Sequence, residues 1–325
     1  MLSLMRSSVF VLLVTTAAWP TRAEPQDKSR LPGRPVKVAA IAIGCGGDHD
    51  AKLKLACEHL ETAGKAGVDI ACLPEEFAGF NAEPIPGPTT NAVAALAKKH
   101  RMYVVCPIRE QAGTEQFNTA VLVDRSGKVA GTYRKVFVFW GEGLVPSREG
   151  VKAFDTDFGR IAILTCFDIN FPELWQQSDR LGAEIVFWPS AYGGGIPLCA
   201  YAVLHHYYVV PVGSGNLIDI TGKPLESSQV QKPLPGQFVA TLDLDRTLIH
   251  TNFNEKKVEK LLKEHSGEVE LEKSFSTEAW YLVRAVKPGV RVRDLCKQYQ
   301  IESLRDYCHR SRRQIDEARK TGKRI

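Results

Sequence analysis

A four-residue apolar run, Ile161 to Leu164, leads to a lone cysteine, Cys166, and Phe171-Pro172-Glu173-Leu174 then opens a helical pattern. The run reads as a buried strand. Pro172 belongs in the first turn of a helix, where its missing N–H costs nothing. A strand feeding a helix through so short a turn commits this part of the chain to an α/β arrangement. It also holds a thiol on a sharp bend, close to backbone N–H groups that favour negative charge. Cys166 is therefore a candidate nucleophile; the alternative is a small buried hydrophobe, since free cysteine is among the most buried residue types.

The rest of the chain repeats the alternation. Apolar runs predict strands near 36–43, 68–73, 102–108, 119–124, 129–133, 160–164, 184–188, 207–213 and 238–244. Helical patterns fill 51–66, 91–99, 172–181 and 198–205, and Asp124-Arg125-Ser126-Gly127 is a hairpin turn. Alternating strands and helices imply a layered α/β architecture.

Two further segments carry chemistry. Val68-Asp69-Ile70-Ala71-Cys72-Leu73-Pro74-Glu75 is a short apolar strand with a carboxylate just past its end, and Gly131-Thr132-Tyr133-Arg134-Lys135-Val136-Phe137 sets a lysine among bulky apolar side chains. Leu-Pro-Glu at 73–75, Tyr-Arg-Lys at 133–135 and Cys-Phe-Asp…Phe-Pro-Glu at 166–173 together resemble the three signatures of the nitrilase superfamily, the carbon–nitrogen hydrolases. Phe154-Asp155-Thr156-Asp157-Phe158-Gly159-Arg160 resembles the family's approach to its nucleophile strand. Order and spacing agree: Lys135 follows Glu75 by 60 residues and Cys166 follows Lys135 by 31. The resemblance spans roughly 36–245. It implies a four-layer α-β-β-α sandwich of the nitrilase type and hydrolysis of non-peptide carbon–nitrogen bonds, releasing a carboxylic acid and ammonia or an amine.

Carried over residue by residue, the resemblance makes Cys166 the nucleophile, Glu75 the general base and Lys135 the electrostatic stabiliser. Glu142 is the polar residue that positions substrate and lysine, and the backbone N–H of Phe167 helps receive developing negative charge. Competing carboxylates are Glu76 beside Glu75, and Glu149 beyond Glu142. Glu173 reads as a structural, salt-bridging carboxylate, and His205 and His206 read as packing residues. The chain departs from the family at Asn170, where many relatives carry arginine, at Pro146-Ser147 in place of Pro-Gly, and in the glycine-rich end of Trp188–Gly195; these leave the substrate open. A true nitrilase, using the same three residues on a C≡N carbon, and a non-catalytic binding or scaffold member of the fold are the alternatives. No cofactor is implied, and no spacing suggests metal ligands.

Composition bounds the remainder. The 325 residues, 44% hydrophobic and 24% charged, describe an ordinary globular chain. The first 23 residues resemble a secretory signal peptide: Arg6 in a polar start, an apolar run from Val9 to Ala18, and Thr21-Arg22-Ala23 as a small-x-small cleavage site. Export to the periplasm or outside the cell follows. No apolar span of membrane length comes later. Residues 34–250 are then the hydrolase domain, and 251–325 a charged, helical extension. Of the eight cysteines, Cys57, Cys72 and Cys106 read as core fillers, and Cys296 and Cys308 are the pair that could bridge.

Residues 289–325 hold eleven Lys/Arg against five Asp/Glu, a net of +6, while the whole chain carries +5. The body is thus near neutral, which argues against nucleic acid as the main substrate; a small amide or nitrile is what the resemblance implies. Residues 290–304 could be two helices joined by a turn. A DNA-reading helix-turn-helix conflicts with export, so an oligomerisation arm with Ile301, Leu304, Cys308 and Ile315 as its apolar stripe, or a solvated tail, fits better. A homodimer or higher homo-oligomer is expected.

Overall fold

The computed structural model describes residues 31–325, so the proposed signal segment lies outside the described residues. Strand β1 (Pro35–Ile41) shows why the chain layers. Side chains alternate across a strand, and β1 is apolar on both faces, so both must be covered. Val36, Val38 and Ala40 join one core, Ala39 and Ile41 another. The same split runs through β2 (Ile70–Cys72), β3 (Tyr103–Ala112) and β4 (Glu115–Val123): Ile70, Val105 and Leu122 fall in the first core, Ala71, Val104 and Val121 in the second.

The first sheet has the order β10-β1-β2-β3-β4-β5, with β5 at Val129–Arg134 and β10 at Gln237–Asp243. Helices α1 (His49–Lys65) and α2 (Pro88–His100) supply Leu60 and Val93 to the core on its outer face. The second sheet orders β6 (Ala153–Asp155), β7 (Arg160–Ile163), β8 (Ile185–Trp188) and β9 (Tyr208–Pro211), the last three parallel. Leu174 and Trp175 of α3 (Pro172–Arg180) and Leu198 and Ala202 of α4 (Ile196–His205) pack against it. Helices outside and two sheets inside make the α-β-β-α sandwich the sequence implied.

The C-terminal extension departs from expectation. It is not only helical: β11 (Thr247–His250), β12 (Val269–Phe275) and β13 (Trp280–Ala285) form a third sheet in the order β11-β13-β12. Charge on one face of β12 hid it, because Glu270, Glu272 and Lys273 interrupt the apolar pattern that marks a strand. Helices α5 (Glu255–Glu264) and α6 (Val292–Gln298) cover this sheet, with Val258, Leu261, Val269, Val283, Val292 and Ile301 as its core. Helix α7 (Leu304–Thr321) follows.

The proposed stripe is divided. Ile301 and Leu304 are 6% and 3% exposed, spent on packing within the chain, while Ile315 stays on the surface. Arg305 Nε reaches Asp179 Oδ1 at 2.6 Å, and His309 Nε2 reaches Asp179 Oδ2 at 2.8 Å, so the first turns of α7 are clamped to the end of α3. Cys296 is buried, Cys308 is exposed, and both are free thiols, so the bridge considered between them is absent. Among the described residues, no helix is long and apolar enough to cross a membrane.

Candidate active site

Glu75 and Cys166 lie beyond the carboxyl ends of parallel strands in different sheets, β2 and β7, the end where α/β sheets open their clefts. Lys135 directly follows β5, so sheet closure brings three distant segments together. Lys135 Nζ donates to Glu75 Oε1 at 2.8 Å and to Glu142 Oε1 at 2.5 Å. The lysine is 1% exposed and Glu75 6%. A buried ammonium needs such partners. Burial pulls its pKa down, but the charge of Glu75 and the hydrogen bonds to Glu142 and Glu75 outweigh it and hold the lysine protonated.

Cys166 starts the 3₁₀ turn Cys166–Asn170, and its backbone takes φ +43°, left-handed for a non-glycine residue. Such a conformation costs on the order of 1–3 kcal/mol and persists only when neighbours enforce it. They do: its N–H donates to the Pro189 carbonyl at 3.0 Å, and Trp188 Nε1 donates to its carbonyl at 3.1 Å. Burial pushes the thiol up to about 12, and the charge of Glu75 adds to this; Lys135 and a hydrogen bond with Ser190 pull the other way. The resting sulfur is therefore a thiol, with Glu75 lining the same cleft.

The competing carboxylates separate cleanly. Glu76, also at positive φ (+42°), is turned onto Arg109, whose Nε donates to its Oε1 at 2.8 Å. Glu149 pairs with Lys152 at the surface, whereas Glu142 faces Lys135. Phe167 and Asn170 line the same cleft as Cys166, of about 450 Å³. His205 stands by Asp179 on the far side of the sandwich, as a packing residue would. Glu173 is exposed in the first turn of α3 and, among the described residues, has no ion-pair partner; the expected salt bridge is replaced by the helix N-terminus alone.

Sequence reasoning missed three neighbours. Asn118 Nδ2 donates to Glu75 Oε1 at 2.9 Å and to Glu142 Oε2 at 3.4 Å. Its signal was a polar residue inside an apolar run, overlooked because the predicted strand began at 119 while β4 begins at Glu115. Asp168 is fully buried and accepts from Tyr133 Oη at 2.7 Å, Thr165 N at 2.8 Å and Phe137 N at 2.9 Å. It ties the lysine's strand to the cysteine's turn. Cys45, third, lines the cleft from the loop after β1.

Residues 37–214 match the family described as carbon-nitrogen hydrolase, more than half of the chain. The chain belongs to the carbon-nitrogen hydrolase family. The chain is 29% identical over 186 residues to an N-carbamoylputrescine amidase of Solanum lycopersicum, covering 51% of this chain and 61% of the relative. It is 35% identical over 160 residues to a beta-ureidopropionase of Arabidopsis thaliana, covering 42% and 38%. The chain thus aligns with less than two thirds of the length of these relatives. Among solved structures it resembles an amidase from Nesterenkonia sp., with TM-score 0.57 at 21% identity over 66% of this chain and 92% of that one. Saccharomyces cerevisiae Nit3, a member of branch 10 of the nitrilase superfamily, gives 0.57 at 22% over 69% and 95%. The nitrilase fold is shared.

Proposed function

We propose that the protein is an amidase-type hydrolase of small, non-peptide carbon–nitrogen bonds. The observation that carries this reading is the Lys135 ammonium locked between Glu75 and Glu142 beside the Cys166 thiol. As Cys166 Sγ attacks the amide carbon, its proton passes to Glu75. Charge building on the carbonyl oxygen is received by Lys135 and the N–H of Phe167, a preorganised donor being worth about 3–4 kcal/mol. The C–N bond breaks as Glu75 returns the proton to the departing nitrogen, leaving a thioester on Cys166. Water then attacks that carbon as Glu75 takes its proton, and the C–S bond breaks as Glu75 returns that proton to sulfur, releasing the acid and restoring the thiol.

Export rests on residues 1–23 and is part of the same proposal. So is self-association, supported by Ile196 and Leu204, 86% and 68% exposed on α4. Product analysis on paired amides and nitriles, with Cys166→Ala as control, tests the reaction. Amide turnover lost in Cys166→Ala is expected. Turnover of nitriles alone would convert the reading to a nitrilase, and an inert Cys166 in folded protein would leave a scaffold.

A further inference from the structure

Resting on the hydrolase reading, the cleft also carries information about the acyl group it accepts. Its lining holds three carboxylates, Glu75, Glu76 and Glu142, and no arginine or lysine. The nearest cations are already committed. Lys135 is paired with both Glu75 and Glu142, whose charges already answer its own. Arg109 makes two hydrogen bonds to Glu76, and its guanidinium is covered by the Phe80 ring at 5.1 Å. Lys52 of α1 donates to the Ile43 carbonyl at 2.7 Å.

Most of the remaining wall is aromatic, Phe80, Phe139, Phe167 and Tyr192, with Cys45, Asn170 and Ala191 completing it. Phe139 and Phe167 meet edge to face at 5.5 Å. Aromatic faces cover an alkyl chain and attract a cation, but they offer a carboxylate no counter-charge; the Tyr192 hydroxyl and the Asn170 amide are neutral donors only. A carboxylate entering here would lose water, find no free counter-charge and face Glu76 and Glu142.

We propose that this cleft selects amides whose acyl group has an apolar stem and is neutral or positively charged at its far end, and that Glu76 is the residue excluding acyl groups that end in a carboxylate. Glu76 acts here on specificity and takes no part in bond making.

The test uses three amides with the same short alkyl stem, ending in a methyl, an ammonium or a carboxylate. Two readouts are taken: ammonia release as kcat/KM, and protection of Cys166 from a thiol-directed label by each amide. The neutral and ammonium amides are expected to exceed the carboxylate amide by at least about tenfold in both readouts. Glu76→Gln should raise the carboxylate-to-neutral ratio at least about threefold, because it removes the repulsion and frees Arg109. A carboxylate amide that matches the neutral one, or a ratio unmoved by Glu76→Gln, overturns the inference while leaving the hydrolase reading in place. Absence of turnover with all three, with the same order of protection, would instead remove the hydrolase reading and keep the selectivity.

Discussion

The Tyr133 hydroxyl donates to Asp168 Oδ2 at 2.7 Å, with both groups fully buried. Tyr133 sits two residues before Lys135 and Asp168 two after Cys166, so this one bond fixes the lysine-bearing strand to the cysteine-bearing turn. Phe137 and Phe171 stack beside it, joining the same two segments.

Asp168→Asn should lower stability by about 2–3 kcal/mol, because one acceptor oxygen becomes an NH₂ facing N–H or O–H donors. Burial pushes Asp168 up to about 6, against the pull of its three donors. The native carboxyl then binds its proton more tightly than the unfolded one, so wild-type stability from this group rises as pH falls from about 6 toward about 4. Asparagine lacks that gain. Melting temperatures should show a larger deficit at about pH 5 than at about pH 7; equal deficits would discard the assignment.

Glu75→Gln should abolish turnover, since a neutral amide cannot take the thiol proton. Glu76→Gln should cost a neutral substrate far less, because Glu76 is held by Arg109 and not by Lys135. Steady-state rates rank the two, and the reverse order would show the base to be Glu76.

The same Glu75→Gln change should make the sulfur more acidic. Glu75's charge is one reason Cys166 stands near 12, and Lys135 remains to favour the thiolate. Following thiolate absorbance against pH, with Cys166→Ala subtracted, should show the midpoint fall by about a unit or more. A variant that is inactive yet easier to ionise separates proton transfer from charge stabilisation. No downward shift would mean Glu75 does not act on the sulfur.

Lys135→Met should depress kcat more than it alters KM, the pattern of a lost transition-state interaction. It also leaves Glu75 and Glu142 facing each other without their shared cation. Breaking a buried pair typically costs about 3–5 kcal/mol, so the melting temperature should fall as well. A raised KM with unchanged kcat would assign Lys135 to ground-state binding.

Truncation after Gly289 removes Val292, Cys296, Ile301 and Leu304, all buried within the chain. Each large apolar side chain contributes roughly 1.5–3 kcal/mol on burial, so a clear drop in thermal stability is expected while Cys166 stays reactive. Calorimetry and light scattering measure stability and mass together; an unchanged melting temperature would return the segment to the status of a tail.

Much of this protein was legible in its sequence because alternation along a strand records which faces are buried. β1, β2, β3, β7 and β8 all lay within a few residues of their predicted positions. Glu75, Lys135 and Cys166 were singled out as candidates by the resemblance of their three segments to the nitrilase signatures, and the structure brings those three segments together. The third sheet was not, since β12 exposes charged side chains and its pairing with β13 is tertiary.

What the chain alone determined was the layering, because it follows from local pattern. What only the folded structure decided was which neighbouring carboxylate faces the lysine, and that Asn118 and Asp168 belong to the site. Glu75 and Glu76 are adjacent in the chain and chemically equivalent there. Lys135 and Arg109, arriving from 60 and 33 residues away, divide them, and charges that distant in sequence leave no trace in local periodicity.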